Sequence, residues 1–131
     1  MRQVLDASAL LAYLQGETGH EAVGKALTHA AEEEPLLMSA VNWGEVAYIL
    51  TKAIGGDEAN RALRTLAAFP IDVVPADQKT AELAATFKSA GKLAYADCFA
   101  AALAQLSGAQ LLTADRDFES VKKEIKLQII R

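Results

Sequence analysis

Residues 4–11 read Val4-Leu5-Asp6-Ala7-Ser8-Ala9-Leu10-Leu11, and residues 110–115 read Gln110-Leu111-Leu112-Thr113-Ala114-Asp115. Each is a short β-type run that gives way to an acid. Three more such runs lie along the chain, at Leu36-Leu37-Met38, Ile71-Asp72-Val73-Val74 and Leu127-Gln128-Ile129-Ile130. Between them the sequence is rich in Ala and Leu, the strongest helix formers. A strand followed by one or two helices and then another strand needs crossover connections, which make the strands parallel and cover both sheet faces. The expectation is therefore an α/β, doubly wound fold. In such a fold ligand sites lie at the carboxyl edge of the sheet, where Asp6 and Asp115 would both emerge.

The helices carry their own boundaries. Thr18-Gly19-His20-Glu21 fits a capping box, predicting a helix with the core stripe Val23, Ala26, Leu27, Ala30 and Ala31. Ser39, Asp57 and Asp77 are placed to cap later helices, and Gly91 and Gly108 to end them in a left-handed conformation. The expected spans are 40–54, 57–68, 77–89 and 94–107. Pro35, Pro70 and Pro75 fall near strand boundaries, and no repeat or low-complexity stretch interrupts the chain.

With 131 residues the expectation is one domain, residues 1–131, built on one core. Apolar residues at 52% against 23% charged exclude a disordered chain. No apolar run approaches the ~18 residues of a membrane span, and the early Asp6 argues against a secretory signal. A single cysteine makes no internal disulfide, so a cytoplasmic protein is expected. Any metal would have to be held by oxygen or histidine. The net charge of −4 argues against a module held on nucleic acid by charge alone. It does not exclude an enzyme whose acids gather at a metal.

Four acids sit in apolar company. Asp6 and Asp115 end strands. Glu45 has Val41, Asn42, Tyr48 and Ile49 as helical neighbours, and Asp97 has Leu93, Ala94, Ala100 and Ala101; none is cationic. Buried carboxylates are costly unless paired or coordinated, and oxygen ligands of this kind select Mg²⁺ or Mn²⁺. The competing account makes Asp6, Asp97 and Asp115 ordinary helix caps and turns Glu45 toward water. Other constellations are weaker. His20 and His29, nine residues apart on one helix, face opposite ways and form no acid–base pair. Cys98 reads as core filler, and Gly55-Gly56 as a helix terminator. Lys122, Lys123 and Lys126 read as a solvated edge that, with Arg116, offers phosphate contacts.

Four segments resemble the PIN domain, and in particular the VapC-type ribonuclease toxins of toxin–antitoxin pairs. They are residues 4–11, Ser39-Ala40-Val41-Asn42-Trp43-Gly44-Glu45-Val46, Leu93-Ala94-Tyr95-Ala96-Asp97-Cys98-Phe99-Ala100-Ala101 and Leu112-Thr113-Ala114-Asp115-Arg116-Asp117-Phe118. The resemblance implies a three-layer fold with a five-stranded parallel sheet of order 3-2-1-4-5. It implies that Asp6, Glu45 and Asp97 are catalytic metal ligands with Asp115 as the fourth acid. Ser8 and Thr113 would support the site, and Asp117 would stabilise the terminal turn. The implied activity is endonucleolytic cleavage of RNA by a metal-activated water with Mg²⁺ or Mn²⁺ as cofactor. The implied partners are an RNA substrate, a VapB-like antitoxin and a second copy of the chain. A high apolar fraction, with surface left over on helix 40–54, points to the same homodimer. The alternative is a PIN-fold binding module without turnover. A phosphoacceptor signalling domain is disfavoured, because Asp6 is followed by Ala7-Ser8 and not by a second acid.

Overall fold

A computed structural model describes residues 2–131. The chain runs β1 (Gln3–Leu5), α1 (Ala7–Gln15), α2 (His20–Glu32), β2 (Leu36–Ser39), α3 (Ala40–Ile54), α4 (Gly56–Leu66) and β3 (Ile71–Val74). It continues through α5 (Gln78–Ala90), α6 (Tyr95–Ser107), β4 (Gln110–Thr113), a 3₁₀ helix (Arg116–Val121) and β5 (Lys126–Ile129). The five strands form one sheet in the order β3-β2-β1-β4-β5, and every pair is parallel. The expected order and layering are thus met.

The pleat explains the layers. Leu5, Leu36, Met38 and Leu112 face one side, where they pack with Leu10, Val23, Leu27 and Leu50 of the first helices. Val4, Leu37 and Leu111 face the other and meet Phe87, Phe99, Leu103 and Phe118. Because β1, β2 and β4 are covered on both faces, Val4-Leu5, Leu36-Leu37-Met38 and Leu111-Leu112 are apolar at successive positions without alternation. β3 and β5 are the edge strands and keep polar residues at Asp72, Lys126 and Gln128.

Ser39 and Asp77 cap α3 and α5 as expected, accepting from the backbone amides of Val41 and Thr80. Helix α3 has the expected limits. Four expectations need correction. The capping box at Thr18 does not form, because the cap of α2 is Gly19 at φ 96°, with no side-chain hydrogen bond. Gly19 lies so close to the carbonyl of Ile130 that a Cβ would collide with it, so this contact from the far end of the chain and the positive φ both call for glycine here. Ala31 is exposed, so the core stripe of α2 stops at Ala30. At the next boundaries Gly55, not Asp57, precedes α4, leaving Asp57 in the first turn, and Gly91 ends α5 in an extended conformation, whereas Gly108 is left-handed at φ 61°.

None of the described helices is long and apolar enough to cross a membrane. Cys98 is buried in α6 as core filler, and burial pushes its thiol pKa up.

Candidate active site at the carboxyl edge of the sheet

The register Leu5↔Leu112 brings the ends of β1 and β4 side by side, so Asp6 and the Thr113–Asp115 turn leave the sheet at the same edge. The strand order reverses direction between these two strands, the place at which open α/β sheets characteristically bind their ligands.

Asp6 is 1% exposed and has no ion-pair partner among the described residues. Its Oδ1 accepts from the Ala9 amide at 2.9 Å and from Ser8 Oγ at 2.8 Å. Its Oδ2 accepts from Thr113 Oγ1 at 2.5 Å. Having donated to Asp6, the two hydroxyls accept in turn: Ser8 Oγ from the Ala114 amide at 2.9 Å, Thr113 Oγ1 from the Asp115 amide at 3.0 Å. Ser8 and Thr113 therefore tie the acid after β1 to the turn after β4. Burial raises the pKa of Asp6 from 3.8 to about 6, against the three hydrogen bonds, which favour the ionised form; the charge of Asp115 adds to the rise.

Asp97 lies in the first turn of α6 and is half-buried. Burial is the main reason its pKa rises from 3.8 to about 7, followed by the negative charges of Asp6, Glu45, Asp115 and Asp117. Among the described residues no lysine, arginine or histidine forms an ion pair with Asp97. Glu45, on α3, is brought to this edge because α3 packs against α6. It accepts a hydrogen bond from Asn42 Nδ2 at 2.8 Å. Asp115 caps the 3₁₀ helix through the Asp117 amide at 2.9 Å. Asp117 serves that turn through its backbone: its amide donates to Asp115 and its carbonyl accepts from Ser120 Oγ.

The capping account is thus true of Asp6 and Asp115, but Asp97 is no cap, since Ala94 holds that position. Among the described residues, no three His, Cys, Asp or Glu side chains are drawn together tightly enough to form a ready metal cage. The donor chemistry does fit a hard cation: all the groups are carboxylate oxygens, and none of them forms an ion pair among the described residues.

The basic residues are less convergent. Lys126 opens β5 in register with Gln110, at the amino edge of the sheet and away from the acids. Arg116 stands beside Asp115, but its guanidinium donates to Glu119 Oε1 and to the Arg131 carbonyl. His20 and His29 lie on α2, His29 exposed. Sequence reading named Asn42 only as a neighbour of Glu45. The spacing of three residues on a helix was the available signal.

An open α/β sheet with an acidic site at its switch point defines the class of protein. The sequence pattern of the PIN domain matches residues 4–124, and the chain belongs to that family. Against curated protein sequences it has no match. Among solved structures it resembles a toxin–antitoxin complex from Klebsiella pneumoniae, with TM-score 0.72 and 20% identity over 100% of this chain and 98% of that one. It also resembles DNA-bound VapBC from Salmonella typhimurium, with TM-score 0.76 and 13% identity over 98% and 97%. A third likeness is to VapC20 of Mycobacterium tuberculosis, a toxin that cleaves the sarcin–ricin loop, with TM-score 0.71 and 16% identity over 91% and 94%.

Proposed function

We propose that this protein is a divalent-metal-dependent endoribonuclease, the toxin of a toxin–antitoxin pair. The observation that carries the reading is Asp97, half-buried within reach of the charges of Asp6, Glu45, Asp115 and Asp117 and without an ion-pair partner among the described residues. Asp6, Glu45 and Asp97 would hold Mg²⁺ or Mn²⁺, with Asp115 completing the set. When bound, such an ion supplies an activated water and stabilises charge developing on the phosphodiester.

The chain's own residues supply the frame. Ser8 and Thr113 fix the orientation of Asp6, and the helix contact between α3 and α6 presents Glu45 beside Asp97. Burial of Asp6 strengthens electrostatic interactions at that end of the site. The RNA substrate class and the antitoxin partner are supported by the fold relatives, which include toxin–antitoxin complexes and a toxin that cleaves RNA. Exposed Tyr48 and Ile54 on α3 support an interface for a second copy or an antitoxin segment.

The test is purified protein incubated with structured RNA in Mg²⁺, Mn²⁺ or EDTA. Metal-dependent cleavage is expected. Intact RNA in all three would favour the binding-module reading, for which the caps formed by Asp6 and Asp115 are the supporting observation.

A further inference from the structure

Asn42 is wholly buried, yet it is polar and belongs to neither of the hydrophobic clusters. Its Nδ2 donates to Glu45 Oε1 at 2.8 Å and to the Ala96 carbonyl at 3.1 Å. Both contacts are acceptors, so the amide nitrogen must face them. Its Oδ1 is left buried with no hydrogen-bond partner among the described residues. An orphaned carbonyl is a cost that an apolar side chain of similar size would avoid.

The two bonds join different helices. Glu45 is three residues on from Asn42 in α3, and Ala96 is the residue before Asp97 in α6. We infer that Asn42 is a positioning residue that sets the Glu45 carboxylate against Asp97 for cation binding. This rests on the metal-dependent reading given above. An amide suits the task because it orients a carboxylate without cancelling its charge. A lysine or arginine here would neutralise Glu45, and an aspartate would repel it. The bond occupies one oxygen and leaves the rest of the carboxylate for a cation.

The test is Mn²⁺ affinity measured by isothermal titration calorimetry on wild type, Asn42→Leu, Glu45→Ala and the double variant. Partners that orient metal ligands typically change affinity by roughly 10- to 100-fold, and Asn42→Leu is expected to weaken binding by that factor. In the Glu45→Ala background the same substitution is expected to have no further effect, because its action runs through Glu45. Asn42→Ala, which does not need room for a larger side chain, is read by the same cycle. An unchanged Mn²⁺ affinity in the Asn42 variants, or an equal loss with and without Glu45, overturns the inference while leaving the metal site in place. No Mn²⁺ binding by wild type overturns both.

Discussion

The two edges of the sheet treat their charges in opposite ways. At the amino edge Arg2 donates to the Pro35 carbonyl at 3.1 Å and to Asp72 at 3.2 Å, and lies 3.9 Å from Glu34. One cation there serves two acids and a strand-end carbonyl. At the carboxyl edge Asp6, Glu45, Asp97 and Asp115 act on one another, and among the described ion pairs none involves them. A fold that needs only structure from its acids can pair them with arginine, as the amino edge does. Leaving four without ion pairs at one sheet edge keeps negative potential in reserve for a ligand.

The strongest way to break this contrast is to remove charge at the carboxyl edge. Asp6→Asn, Glu45→Gln and Asp97→Asn are each expected to cut Mg²⁺-dependent RNA cleavage by about 100-fold or more, since even supporting residues of metal sites reach that range. Asp115→Asn is expected to do less, and to differ between Mg²⁺ and Mn²⁺. Initial rates on one structured RNA, with circular dichroism to confirm folding, decide it. Wild-type turnover in Asp97→Asn sinks the mechanism.

A second effect separates charge from shape. A cation that binds only the folded protein stabilises it by about 2.7 kcal/mol at ~100 times its Kd. Wild type is therefore expected to melt several degrees higher in saturating Mg²⁺ than in EDTA. Asp97→Asn is expected to melt above wild type in EDTA, because one repelling and desolvated charge is gone, and to respond weakly to Mg²⁺. Parallel thermal melts test both statements, and a wild type indifferent to Mg²⁺ would leave the acids as structural residues.

The same repulsion gives a pH signature in EDTA. Asp6 at about 6 and Asp97 at about 7 both stand above the ordinary 3.8. For acids raised in the folded state, the contribution to stability is fully present below about pH 4 and is lost as pH rises through 6 and 7. Asp77, held below its ordinary range by the Thr80 hydrogen bonds, acts in the opposite sense but only at lower pH. Metal-free wild type is expected to lose melting temperature from pH 5 to pH 8. Asp97→Asn should lose less, chiefly because the step near 7 is absent. Equal slopes would show that Asp97 is not the source.

The contrast between the edges was only partly legible in the sequence. Strand-end acids follow from Val4-Leu5-Asp6 and Leu112-Thr113-Ala114-Asp115, because a parallel sheet sends all its carboxyl ends one way. Ser39 and Asp77 announce helices because capping is local. What escaped depends on distant contacts. At the start of α2 Gly19 packs against Ile130, a contact that the local pattern of a Thr18 capping box cannot foresee. Asn42 was visible as a neighbour of Glu45, but its second bond to Ala96 requires α3 against α6. Capping and site roles do not exclude each other, since Asp6 caps α1 and at the same time lies buried without an ion-pair partner among the described residues.

The smallest expected effect comes from the amino edge and serves as the control for the others. Arg2→Ala removes the contacts to Asp72, Glu34 and the Pro35 carbonyl. Asp72 and Glu34 are largely exposed, so water replaces much of what they lose, and such pairs are usually worth at most about 1 kcal/mol. The loss should shrink as salt is raised from 0.05 to about 0.5 M, since screening shortens the reach of exposed charges. It should also be the same in EDTA and in Mg²⁺, because Arg2 lies at the opposite edge from the acids. RNA cleavage is expected to stay at the wild-type rate. Melts of Arg2→Ala across salt, with and without Mg²⁺, test this. If the variant instead shifts the response to Mg²⁺, the two edges are coupled through β1, and paired and unpaired acids do not belong to separate tasks.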